Sequence, residues 1–297
     1  MQWKGRRSSD NVEDRRSSSG GGGAGMSSGM GLNILSMIGS RFGIKGIIIA
    51  AVAVIVLWQL GIVDPSRLLQ DGTITTGGST ALVETEEEKE LYQFVTVVLA
   101  GTEEVWTEEF ARLGQEYTPP TLVVYRKMIQ TGCGGGSAAM GPFYCPADRK
   151  IYIDLSFYEE LAQTFKAPGD FAQAYVLAHE VGHHVQNLLG TSDKVSAMRG
   201  RPEYNQYSVR LELQADYYAG VWANQSQDYL EKGDVEEAMR AANSIGDDAI
   251  QQKSQGRVVP HSFTHGTSDQ RMRWFMKGMK SGRIEGGDTF TGRYESL

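Results

Sequence analysis

The sequence predicts an α+β fold, a small sheet followed by a helical bundle, behind a single N-terminal transmembrane helix. Three observations carry this. Two strand-like runs rich in β-branched and aromatic residues, 121–127 and 150–155, stand near mid-chain. The segments on either side of them are helical in apolar spacing and capping residues. Residues 46–63, GIIIAAVAVIVLWQLGIV, contain no charge, and only Gln59 is clearly polar. The 297 residues suffice for one or two domains. With 40% apolar and 22% charged residues, the composition excludes a fully disordered chain. The net charge of −7 argues against a nucleic-acid binder, which needs a basic face.

Taken in order, residues 1–45 carry seven basic and three acidic side chains, a net of +4 that leaves −11 for the remainder. Inside them, the Ser/Gly tract 17–31 has too little apolar surface to offset its chain entropy and reads as a flexible linker. As a helix, 46–63 is about 27 Å long, close to a bilayer core, and Trp58 suits the interface. A buried core helix of that length usually shows a polar face. A cleaved signal peptide has a shorter basic region and small residues after the run, where this chain has Asp64, Pro65, Ser66 and Arg67. The run therefore reads as an uncleaved signal anchor in the cell membrane. The positive-inside rule then makes 1–45 a cytoplasmic arm and puts the remainder in the periplasm or outside the cell. Residues 64–83 read as a linker and 84–297 as the folded domain. That domain opens with helices at 85–99 and 102–113, the second capped by Thr102. A Gly-rich loop holding both cysteines separates the two strands. Helices follow at 156–165, at 170–189 with Asp170 as cap, and at 203–227, 235–245 and 268–280.

Cys133 and Cys145 are the only cysteines, so a metal site must rely on His and carboxylates. Three of the five histidines fall within His179-Glu180-Val181-Gly182-His183-His184. His179 and His183, at i and i+4, project from one helix face one turn apart, which lets both imidazoles reach one ion. Glu180 is rotated by about 100°, a position from which a carboxylate reaches a metal-bound water. A zinc site open for catalysis takes a third protein ligand. A metzincin would have Gly at 186 and His at 189, where this chain has Gln186 and Leu189. Glu212, on a later helix with apolar flanks, completes two histidines and one glutamate. Asp216, one turn further on, is placed to fix a ligand histidine's tautomer. His184 is left to structure or solvent. His265, in the turn before the last helix, is a candidate donor to the oxyanion of a tetrahedral intermediate.

These residues carry a resemblance. Met1-Gln2-Trp3-Lys4-Gly5-Arg6-Arg7 with Asn11-Val12-Glu13-Asp14-Arg15-Arg16, the His179–Gln186 motif and the Glu212–Gly220 motif together resemble the bacterial neutral zinc metallopeptidases of the YpfJ type, over nearly the whole chain. The resemblance implies a membrane-anchored, zincin-like, gluzincin-type peptidase domain. The second motif is also similar to the ExxxD element of the HtpX and CAAX-protease metallopeptidases. There a histidine loop approaches the zinc, which points again to His265.

The expectation is a zinc-dependent metalloendopeptidase acting on extracytoplasmic proteins or peptides. Zn2+ is held by His179, His183 and Glu212, Glu180 is the base, and an extended substrate pairs with the strand at 150–155. A zinc-containing binding or envelope assembly factor without turnover, and an amidase of cell-wall peptides, use the same ligands. The sequence is silent on oligomeric state. Cys133 and Cys145 bracket a Gly-rich loop that is costly to order, and in an oxidising compartment they are expected to form a disulfide.

Overall fold

The computed structural model describes residues 1–17 and 82–297. The chain divides into two units, Met1–Gly20 with Ala81–Leu297, and Gly21–Thr80. The expected membrane segment, 46–63, lies outside the described residues, as do most of the Ser/Gly tract and of the 64–83 linker. Among the described residues no helix is long and apolar enough to cross a membrane.

Residues 1–17 are part of the folded unit, although the sequence placed them in a separate arm. Val12–Asp14 forms strand β1. Helix α1 (Glu86–Arg112) follows, with the Thr85 hydroxyl accepting from the Glu88 backbone N–H. It is one helix where two were expected. Thr102 does not cap a new start, because its hydroxyl bonds back to the Leu99 carbonyl at 2.6 Å within the same helix. Strand β2 (Thr121–Tyr125) leads into a hairpin of β3 (Met128–Thr131) and β4 (Gly134–Ser137), and then into β5 (Phe143–Cys145) and β6 (Lys150–Asp154). The four-stranded sheet has the order β1-β2-β6-β5. The first three strands are parallel and β5 is antiparallel to β6. The strand at 150–155 is therefore interior, between β2 and β5, and the free edge beside it belongs to β5.

Period-2 alternation divides the sheet faces. Leu122, Val124, Ile151 and Ile153 enter the main core with Trp3, Trp106, Tyr175, Trp222 and Phe275. Val123, Tyr125 and Tyr152 form a second cluster with Ile129 and Cys145 on the opposite face. The later helices are α2 (Phe157–Gln163), α3 (Asp170–Leu188), the short α4 (Thr191–Ser196), α5 (Tyr204–Gln225), α6 (Asp234–Ser244), α7 (Asp247–Gln255) and α8 (Ser268–Ser281); α3 packs on β5 and β6, α5 and α6 pack on α3, and α8 packs on α5. The N-cap of α3 is Gly169, not Asp170, which stands in the first turn where an acid still complements the helix dipole. A capping box of Thr267 and Gln270 starts α8.

Helix α3 is buried along almost its whole length, because α5 crosses it closely. A Cβ on Gly182 would come within 3.0 Å of the Ala215 carbonyl oxygen. That crossing brings the 179–183 turn of α3 against the 212–216 turn of α5.

Candidate metal centre

His179, His183 and Glu212 each present a ligand atom, and the three atoms lie within 4.8 Å of one another. His179 Nε2 is 3.2 Å and His183 Nε2 3.5 Å from the same Glu212 oxygen, Oε2. The other nitrogen of each ring is already engaged. His179 Nδ1 faces Asp216 Oδ1 at 2.8 Å, and His183 Nδ1 faces Gln186 Oε1 at 2.8 Å. Both are acceptors, so each neutral ring carries its proton on Nδ1 and turns the Nε2 lone pair toward the carboxylate. Two lone pairs and an anionic oxygen aimed at one point repel unless a cation, or protons, lie between them. This donor set fits a zinc ion with an open position.

The electrostatics follow. Burial alone would lower the His183 pKa, but Glu212 outweighs it and pushes it up to about 9. At His179, burial is likewise outweighed by Asp216 and Glu212, and the pKa is raised. Burial would raise Glu212, yet His183 and His265 hold it well below the usual carboxylate range. Glu180 differs: burial dominates and raises its pKa, as suits a base that must pick up a proton.

Asp216 is fully buried and takes four donors. Tyr175 donates its hydroxyl proton to Oδ1 at 2.5 Å, and His179 Nδ1 and Arg271 Nη2 bond the same oxygen at 2.8 Å each. Arg271 Nε donates to Oδ2 at 2.9 Å. Arg271 was missed in the sequence, and so was Tyr175 as a polar partner, although each left a signal. Tyr175 stands one turn before His179 on the same face. Arg271 shares the buried face of α8 with Trp274, Phe275 and Gly278, and an arginine inside an apolar stripe requires a buried acid.

His265 lines the same cleft of about 420 Å³ as His179, Glu180, His183 and Glu212. The ring is half-exposed, with Nδ1 held by Asp247 Oδ1 at 3.2 Å. Glu212 first, and then Asp247, raise its pKa. Asp247 Oδ2 also accepts from the backbone N–H groups of Thr264, His265 and Gly266 at 2.6–3.1 Å, so this one carboxylate shapes the turn. Asp247 starts a helix that the sequence did not reveal. His184 is structural. It is fully buried, burial takes its pKa down to about 4, and it bridges Thr118 O at 2.7 Å and the Tyr144 hydroxyl at 3.0 Å. His261 is exposed and outside the cleft. A second acidic group, Asp170, Asp234 and Glu237, adjoins the Met1 ammonium, which lies 3.1 Å from Asp170 and 3.5 Å from Asp234.

The disulfide is present between Cys133 and Cys145, with Cα atoms 5.8 Å apart. It ties the β3–β4 turn to the edge strand β5.

Residues 1–290 match the family model described as "Putative neutral zinc metallopeptidase". The Escherichia coli K12 protein YpfJ is 50% identical over 287 residues, covering 95% of this chain and 96% of its own. The Mycobacterium tuberculosis H37Rv protein Rv2575 is 43% identical over 188 residues, covering 59% of this chain and 64% of its own. No solved structure matches the chain.

Proposed function

The chain belongs to the neutral zinc metallopeptidase family, and on that premise we propose that it is a zinc-dependent endopeptidase with His179, His183 and Glu212 as the metal ligands. The observation that carries the reading is the convergence of two Nε2 atoms and one carboxylate oxygen, with both Nδ1 positions occupied by acceptors. A bound zinc supplies Lewis-acid polarisation and lowers the pKa of a water. Glu180, buried and raised in pKa, accepts the proton of the attacking water and delivers it to the leaving amine. His265, oriented by Asp247, donates to the developing oxyanion. Asp216 and Gln186 hold the two ligand imidazoles in one tautomer.

The substrate reading changes in one respect. An extended peptide adds to the edge strand β5, whose Phe143 and Tyr144 line the cleft, and not to β6. Met140, Phe143, Phe165, Val176, Ile245 and Ile250 surround the catalytic end and suit a bulky apolar side chain beside the scissile bond. The disulfide favours a compartment outside the reducing cytoplasm, so the proposed substrates are extracytoplasmic proteins or peptides. Membrane attachment through 46–63 remains part of the proposal.

The test is paired. His179→Ala, His183→Ala and Glu212→Ala should each lose the single zinc per chain by elemental analysis, while Glu180→Gln keeps it. Glu180→Gln should then retain proteins that the wild type cleaves. Retention of the same proteins by the wild type, uncleaved, would make the domain an adaptor.

A further inference from the structure

The basic N-terminal segment does not behave as a free arm. β1 runs parallel to β2, with Val12 opposite Leu122 and Asp14 opposite Val124. Trp3 is buried, edge-on to Phe94 of α1 at 5.4 Å. Asn11 Nδ2 donates to Glu103 Oε1 at 2.7 Å, and the Ser9 hydroxyl donates to the same oxygen. Arg6 stacks 3.7 Å from the centre of the Tyr229 ring and pairs with Asp228. Lys4 pairs with Glu90, and Arg7 with Glu103 and Glu104. Lys4, Arg6, Arg7 and Arg16, which read as part of a positive-inside signal, therefore meet acidic side chains of residues 84–297.

The points where the chain leaves and rejoins this body are adjacent. The buried Arg16 guanidinium reaches Glu84 at 2.6 Å and Glu88 at 3.5 Å. Glu88 also holds Arg126 at 2.5 Å, which in turn donates to the Val83 carbonyl. Between these clasped ends the sequence offers one long apolar run, 46–63, preceded by Arg41 and Lys45 and followed by Asp64, Arg67 and Asp71; the uncharged stretch 17–40 is mostly Gly and Ser. A return crossing needs a second stretch of about 20 predominantly apolar residues, and residues 18–81 do not contain one.

We infer that residues 1–17 and 82–297 lie on the same side of the membrane, so that 46–63 attaches the chain to a bilayer without separating the two. An N-terminus inside and a domain outside would strip β1 from the sheet and make β2 an unpaired edge. It would also leave Glu103, only 8% exposed, without Ser9, Asn11 and Arg7. The inference does not depend on the peptidase reading.

The test uses the unmodified full-length chain in spheroplasts of a bacterial host. Lys4 and Lys89 have side chains 74% and 67% exposed, one in the N-terminal segment and one on α1. A sulfonated, membrane-impermeant succinimidyl ester is added outside, and each lysine is quantified by peptide mass spectrometry. Permeabilised cells give the full reactivity of both. The expected result is concordance: both lysines modified to at least half of that reference, or both below a tenth of it. Modification of one with protection of the other would overturn the inference.

Discussion

At the scale of single residues, Asp216 and Arg271 decide how the metal turn is built. A bidentate guanidinium holds the carboxylate in one orientation, and the carboxylate holds the Nδ1–H of His179. Arg271→Met should leave a buried charge unpaired and cost about 3–5 kcal/mol in urea unfolding. Asp216→Asn should weaken zinc binding by about 10–100-fold in chelator competition, because the tautomer is no longer enforced. Burial opposes the ionised Asp216, but Arg271 and His179 outweigh it and bring its pKa from 3.8 down to about 2. A depressed carboxylate stabilises the fold above its unfolded pKa and loses that contribution as pH falls through the folded one. The metal-free protein should therefore lose about 2 kcal/mol from this group between pH 4 and pH 2. Denaturant midpoints across that window check it, and Asp216→Asn should flatten this part of the curve. His265→Ala should lower kcat by about 10²–10³ with zinc content retained, since one oxyanion donor is typically worth that much. Unchanged turnover would return His265 to an ordinary loop residue.

At the scale of elements, close helix crossings set the site. Alanine normally stabilises a helix interior by about 0.5–1 kcal/mol relative to glycine. Here the sign should reverse. A Cβ on Gly220 of α5 would collide with the Phe275 carbonyl of α8, and one on Gly278 with that of Tyr217. Gly220→Ala should therefore destabilise by at least about 1–3 kcal/mol in thermal or urea melts. Gly182→Ala meets backbone at 3.0 Å, a smaller overlap. It should cost less stability but move α5 away from α3, and so weaken zinc binding. The edge strand has its own staple. Reduction of Cys133–Cys145 should release the β3–β4 turn from β5, and hydrogen exchange of residues 128–145 should quicken while α3 stays protected.

At the scale of the whole molecule, the N-terminal segment completes the core that the helices and sheet begin. Trp3→Ala should cost about 3–5 kcal/mol, the usual range for deleting a buried aromatic. A chain of residues 82–297 alone should melt well below the full-length protein and expose β2 as an aggregation-prone edge. Adding residues 1–17 in trans as a peptide should recover part of the lost Tm. Equal melting of the two chains would show that the segment is dispensable.

The sequence alone singled out the residues proposed to carry the chemistry. The i, i+4 spacing of His179 and His183 places both rings on one face of any helix. The apolar flanks of Glu212 and Asp216 make theirs a buried helix, and a periodic apolar pattern is a local property that a linear reading captures. What only the tertiary structure decided was adjacency between distant segments. Arg271 and Asp247 act through residues 55 and 18 positions away in sequence, and no local period encodes such a partner. The sheet edge fell to β5 and not β6 because strand order is settled by pairing across the chain. The basic segment was legible as charge, but charge carries no address. Whether it meets lipid headgroups or carboxylates depends on where the acidic surface folds, and it folds beside Trp3 and β1.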